Sequence, residues 1–432
     1  MNADSRSVLL VVPEFPPNGS MGGRRWAKFA KYLAQKGLAV KVIAFEPTTK
    51  ILKANWTNDI QHKNIEVYYL PSKYPKILQS SSMGIFSRIL KKFVNVFLSI
   101  YDGGIIQDRS IFFKNELLVN ASTIIKNFNI QNVVCTGPYH RACYFTVLLK
   151  ETLPNLNIIV DFRDRWTDGQ VYGIESLSKQ RSMKEEKLQK YTCEKADYVI
   201  STYSEIIQEL TSLYSHLPKE KFIHFPHNFD IDDYDGLSLD GEAIRVKERV
   251  RFLYGGTINT AAFNDAFKPF FYSLNKLKVN NNELYRKISI EIYGENFVLN
   301  ELSQKLDLGD CVKISQQLPE KEFYFLATKC DFLLMFLGRK WKDLMTTKNI
   351  TYLPFRKPFM LISERGEVSR MVEDNNIGFV LEPDHCFEKL LILMENYSSG
   401  NLTYNHMFDF SDYSYEMATE RLIKLFKFDN KN

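Results

Sequence analysis

Short apolar runs, rich in β-branched residues and separated by helix-length amphipathic stretches, recur along the whole chain. In the first half they read "SVLLVV" (7–12), "LAVKVIAF" (38–45), "IEVYYL" (65–70), "NVVCT" (132–136), "NIIVDF" (157–162), "DYVIST" (197–202) and "FIHFP" (222–226). Continuous rather than alternating apolar runs predict strands covered on both faces, hence parallel strands with helical crossovers. A polar, acidic stretch, "DIDDYDGLSLDGEAIRVKE" (230–248), breaks the rhythm. It resumes with "VRFLYGG" (250–256), "ISIEIYG" (288–294), "CVKIS" (311–315), "FLLMF" (332–336), "PFMLI" (358–362) and "GFVLE" (378–382). The pattern predicts an α/β protein with two doubly wound, Rossmann-like parallel-sheet domains over 1–235 and 249–412, joined by a linker at 236–248. A last amphipathic segment, 413–432, is expected to pack back on the first domain. Ligands of doubly wound sheets sit beyond the carboxyl ends of the strands, so the expected site is a cleft between the two domains.

The first strand-to-helix turn carries unusual chemistry. "PEFPPNGSMGGRRWAKFAKYLAQKG" is stiffened by Pro13, Pro16 and Pro17 and loosened at Gly19, Gly22 and Gly23. Trp26, Phe29, Ala30 and Leu33 then trace one buried helical face. Arg24 and Arg25 thus open a helix, where the dipole already favours anions, and they point to a negatively charged ligand. The turn lacks G-x-G-x-x-G, so Glu46 at the end of the second strand does not make this a dinucleotide site.

Composition adds limits. At 432 residues two cores of about 200 residues are the natural division. Lys and Arg number 56 against 51 Asp and Glu, a net +5 that argues against a nucleic-acid partner. The six cysteines have neither metal-ligand nor disulfide-framework spacing, and no run of about 18 apolar residues predicts a membrane span. A cytoplasmic protein is expected. In "GIFSRILKKFVNVFLSI" (84–100), Ile85, Phe86, Ile89, Leu90, Phe93, Val94 and Phe97 make one face and Arg88, Lys91, Lys92 and Asn95 the other. Packing of that apolar face against the first domain is the expectation; a peripheral membrane contact is the alternative.

Eight segments in order resemble the retaining GT-B glycosyltransferases of family 4. They are the opening "VLLVVPEFPPNGSMGGRRWAKFAKYLAQKGLAVKVIAF", "TGPYH" (136–140), "VDFRDRW" (160–166), "EKADYVISTYSEIIQEL" (194–210), "FPHNFDIDDY" (225–234), "FLYGGTI" (252–258), "TTKNITYLPFRKPFMLI" (346–362) and "GEVSRMVEDNNIGFVLE" (366–382). The resemblance implies metal-independent transfer of a sugar from a nucleotide diphosphate sugar, held by the second domain. The acceptor, a glycan or a lipid-linked sugar of surface polysaccharide such as lipopolysaccharide or capsule, would sit on the first. No further cofactor is implied. Gly255, Gly256 and Thr257 form the turn where backbone amides are expected near phosphate; relatives carry an arginine and a lysine there, where this chain has Thr257 and Ala262. Thr347 as N-cap and Lys348 in the first turn supply an anion site, joined by Gly22, Gly23 and Arg24.

"DFRDRW" puts Asp161, Arg163 and Asp164 at a strand end; Arg163 stands where many relatives have histidine and cannot act as a base, while Asp164 is the candidate for hydrogen bonds to sugar or acceptor. His140 and His227 are nearby in sequence only. The glutamate pair spaced by seven residues in relatives falls on Asp343 and Thr351. Asp343 keeps a carboxylate for the transferred sugar. Thr351 replaces the acceptor of the ribose diol and fits a thymidine diphosphate sugar, unless Glu364 or Glu367 takes over. A glycosyltransferase-like scaffold or sugar-nucleotide sensor without turnover is the competing reading.

Overall fold

The computed structural model describes residues 6–18, 20–46, 55–71, 75–79, 84–102, 108–168, 177–256, 258, 262–294 and 297–428. Gly19 and Thr257 lie outside them.

Among the described residues, thirteen parallel strands form two sheets. The first contains β1 (Ser7–Val11), β2 (Ala39–Phe45), β3 (Ile65–Leu70), β4 (Asn132–Gly137), β5 (Asn157–Phe162), β6 (Tyr198–Ser201) and β7 (Phe222–His224), in the order β3-β2-β1-β4-β5-β6-β7. The second contains β8 (Val250–Gly255), β9 (Ile288–Tyr293), β10 (Val312–Ser315), β11 (Phe332–Phe336), β12 (Phe359–Ile362) and β13 (Gly378–Leu381), in the order β10-β9-β8-β11-β12-β13. The central runs became strands covered on both faces: Val8 and Leu10 enter one core of the first sheet, Leu9 and Val11 the other, whereas the edge strands β3 and β10 are only partly buried. Phe252 and Leu253 divide in the same way across the second sheet. Both sheets reverse direction at their first strand, between β1 and β4 and between β8 and β11, which creates the switch points where such sheets hold ligands.

Two compact units emerge, one of residues up to Pro226 and from Tyr415 on, the other from His227 to Ser414. Residues 227–235 therefore belong with the second sheet. The 237–247 stretch has neither helix nor strand and is tied to the second unit, Tyr397 bonding Arg245 O and Lys247 N, and Tyr404 bonding Glu242 O. The helix Tyr415–Ile423 lies on the helix Met21–Gln35, with Tyr415 edge-on to Phe29 at 5.2 Å and Lys36 paired to Glu420 at 2.8 Å.

The amphipathic segment is the helix Ile85–Asp102, but its apolar face is not packed on the first unit: Phe86 is 79%, Phe93 70% and Phe97 67% exposed. Val94 departs from that face and is half-buried, and Leu98, at 4%, is buried. All six cysteines are free and buried.

Candidate functional site

In the second unit, the candidate site is built around Lys348. The chain leaves β11, passes through a 3-10 turn at Arg339–Trp341 and starts the five-residue helix Thr347–Thr351. Its N-cap is Thr346 rather than Thr347. Thr346 and Asn349 form a reciprocal capping box, the Asn349 Oδ1 accepting from the Thr346 amide and hydroxyl at 2.7 Å each. The T-x-x-N spacing carried that signal in the sequence. A helix this short contributes little dipole, so the positive charge available here is that of Lys348 itself.

The Lys348 ammonium donates to the Tyr254 hydroxyl at 2.8 Å and lies 4.0 Å from the centre of that ring. It also rests on Gly256, where a Cβ would come within 2.6 Å of Nζ, and Gly256 has φ +128°. Any side chain at 256 would be strained and would expel the lysine. Burial lowers the Lys348 pKa to about 7. An ammonium held half-neutral beside a glycine turn is poised to take its charge back when an anion arrives.

Among the described residues of the turn, both glycine amides are engaged within the fold. Gly255 N donates to the Tyr352 hydroxyl at 3.2 Å, and Gly256 N to Tyr293 O at 2.8 Å. Gly255 is needed for another reason, since a Cβ there would meet the Phe323 ring at 2.4 Å. The turn's contribution among the described residues is room for Lys348.

Asp343 and Thr351 are both engaged locally. Asp343 Oδ1 accepts the Glu367 amide at 2.8 Å and so closes the start of the helix Glu367–Asp374. The Thr351 hydroxyl donates to Lys348 O at 3.3 Å, one turn back in its own helix. Glu364 is paired with Arg339 at 2.5 Å.

In the first unit the expected arginines separate. Arg25 is buried, and its guanidinium donates to Phe225 O and Pro226 O at 2.9 Å each, with Nε 3.4 Å from Asp161. Its charge is therefore spent on Asp161 and on the backbone just before the chain leaves the first unit. Arg24 lies over the Trp56 ring at 5.4 Å. Asp161, also buried, accepts from Trp26 Nε1 at 2.9 Å and from the Thr136 hydroxyl at 3.1 Å. It anchors the switch point and is shut off from solvent.

Arg163 does sit at the carboxyl edge. Nε donates to Gly137 O at 3.0 Å and the Thr136 hydroxyl at 3.2 Å, and the guanidinium lies directly on Gly22, where a Cβ would come within 2.2 Å. Gly22 admits Arg163, and Gly23 admits Glu14 O, which a Cβ would meet at 2.1 Å. Both glycines thus serve internal packing before any ligand. Asp164 is half-buried, and burial raises its carboxyl pKa against the opposing charge of Arg163. His140 Nε2 is 2.9 Å from Asp164 O, and the ring stacks on Trp166 at 5.3 Å.

Burial lowers the His140 pKa to about 4, more than the Asp164 carbonyl raises it. The folded pKa lies below the ordinary 6.5, so His140 costs stability as pH falls from about 6.5 toward 4 and is neutral above. Its imidazole proton resonances in an NMR titration should not shift between pH 5.5 and 8; a midpoint near 6.5 would contradict this placement.

Behind the loop, a buried cluster missed from the sequence holds it in place. Glu185 accepts from Arg141 at 2.5 Å, Arg181 at 2.7 Å and Trp166 Nε1 at 2.6 Å. Burial pushes its carboxyl up, but Arg141, Trp166 and Arg181 outweigh that and hold it below the ordinary value. Among the described residues, no group of three or more His, Cys, Asp or Glu is arranged to hold a metal.

No family model and no curated protein matches the sequence. Solved structures do resemble it. Sucrose-phosphate synthase from Thermosynechococcus elongatus is similar at TM-score 0.57 and 11% identity, over 97% of this chain and 98% of that one. The lipopolysaccharide outer core galactosyltransferase WaaB, in its apo form, is similar at TM-score 0.58 and 10% identity, over 97% and 99%. UDP-GlcNAc 2-epimerase from Neisseria meningitidis bound to UDP-GlcNAc is similar at TM-score 0.50 and 12% identity, over 97% and 99%. At such identities the likeness is one of fold, and the fold is GT-B: two parallel-sheet α/β domains.

Proposed function

We propose that this chain is a glycosyltransferase that takes its sugar from a nucleotide diphosphate sugar, through retaining, metal-independent chemistry of the family 4 type. The observation that carries the reading is Lys348, a desolvated ammonium seated on the Gly256 turn at the switch point of the second sheet. Transfer leaves a diphosphate, and a protein that stabilises it without a metal needs a fixed cation there. The acceptor is a glycan or a lipid-linked sugar of surface polysaccharide, met at the cytoplasmic face of a membrane. The GT-B neighbours bear on this as a class, two of them being named for sugar transfer or sugar-ester synthesis.

Two observations favour the competing scaffold or sensor. Asp343 closes a helix, and the Thr351 hydroxyl is turned onto its own helix. An epimerase shares the fold as well. Product analysis separates the three readings. A transferase releases free nucleoside diphosphate only as sugar appears on an acceptor, an epimerase interconverts the donor sugar, and a sensor binds without either.

Asp343→Asn refines the test, because the amide keeps the oxygen that accepts from Glu367 and loses only the charge. Turnover should fall about tenfold or more, roughly 1.4 kcal/mol, with the melting temperature unchanged. Unaltered turnover would remove Asp343 from the reaction.

A further inference from the structure

The helix Ile85–Asp102 is mounted with its apolar side outward. At about 100° per residue, Ile85, Phe86, Ile89, Phe93, Val96 and Phe97 fall within an arc of about 120°, and every one of them is exposed. The opposite side carries Ser87, Val94 and Leu98, which are half-buried or buried. A helix folded for water would have the reverse arrangement. Three phenylalanines that expose two thirds or more of their surface, on one helix face, constitute a patch of the kind that marks an interaction site.

The charges beside this face indicate the partner. Arg88 and Lys92 are exposed and lie within about 60° of one edge of the apolar arc, and residues 84–101 contain no Asp or Glu. An apolar face bordered only by cations fits an anionic lipid surface, where the aromatic rings enter the headgroup boundary and the cations meet phosphates. It fits a second copy of itself poorly, because two such faces would bring like charges together. No helix among the described residues is long and apolar enough to cross a membrane, so the attachment would be in the plane of the interface.

We infer that the outward face of the helix Ile85–Asp102 docks the protein on anionic bilayers. This surface is independent of the donor site: vesicle binding survives Lys348→Ala whether or not the chain transfers sugars. The full-length protein should co-sediment with vesicles containing phosphatidylglycerol and not with pure phosphatidylcholine, and salt should release it. Phe86→Ser with Phe93→Ser should abolish co-sedimentation, and both side chains are exposed enough that the fold should be kept. Arg88→Gln with Lys92→Gln should lower partitioning onto anionic vesicles by roughly thirtyfold. Failure of the wild type to co-sediment at low salt overturns the inference, as does co-sedimentation indifferent to the phenylalanine pair. If those substitutions instead dissolve a dimer, with no vesicle binding in any form, the face belongs to a second copy.

Discussion

Lys348→Ala will weaken binding of a nucleotide diphosphate sugar by about 1.5–3 kcal/mol, roughly 10- to 150-fold, the range of a hydrogen bond to a charged group. The cause is specific to this lysine. Burial lowers its pKa to about 7, so the empty site holds a partly neutral amine against Tyr254 and Gly256. A diphosphate diester has no proton to lose near neutrality, and its charge raises the lysine pKa again. Binding is therefore accompanied by proton uptake. Because the bound pKa exceeds the free one, affinity is greatest below about pH 7 and declines as pH rises above it. The substitution removes both the affinity and its pH dependence. It should not lower the melting temperature, since a desolvated amine is no asset to the folded state. An unchanged dissociation constant in calorimetry would take Lys348 out of the site.

Glu185→Ala will destabilise the first unit by about 3–5 kcal/mol, the range for removing one partner from a buried ion pair. Arg141 and Arg181 would lose the carboxylate they share, and Trp166 Nε1 its acceptor. Three of the four tryptophans, Trp26, Trp56 and Trp166, belong to this unit, so the urea transition followed by tryptophan fluorescence reports on it. The midpoint should fall sharply, and Glu185→Gln, which keeps hydrogen-bonding atoms, should lose less. The same carboxylate is held below its ordinary pKa, so its contribution is present at neutral pH and is lost as pH falls through that lowered value. A loss under about 1 kcal/mol would mean that the cluster does not fix the Arg163–Trp166 loop.

The strands were legible because the interior of a doubly wound parallel sheet demands short, largely apolar, β-branched runs, and all thirteen runs named from the sequence are strands. The helix start around Lys348 was legible too, from the Thr-Thr pair shortly after an apolar run, although its N-cap is Thr346 and not Thr347. What the sequence hid depends on distant partners. Nothing near Arg25 shows that its guanidinium ends on Phe225 and Pro226, about 200 positions later. Gly22 and Gly23 look like a phosphate turn until Arg163 and Glu14 are seen filling the space above them. Glu185 lies among many charges in "KQRSMKEEKLQK", and only the fold brings it to Arg141 and Trp166. The periodicity of 84–100 gives most of the apolar face, apart from Val94, but not the side on which the helix is mounted, since hydrophobic spacing is the same for a face turned inward or outward.

On the proposed function, the second unit holds a nucleotide diphosphate sugar through Lys348. Calorimetric titration of the intact protein with uridine, guanosine and thymidine diphosphate sugars tests it most directly, at pH 7.5 in two buffers of different ionisation enthalpy. One base should bind at least tenfold more tightly than the others, about 1.4 kcal/mol, with a buffer-dependent enthalpy that corresponds to proton uptake and vanishes in Lys348→Ala. No binding by any of the three, or binding whose heat is the same in both buffers, would contradict it.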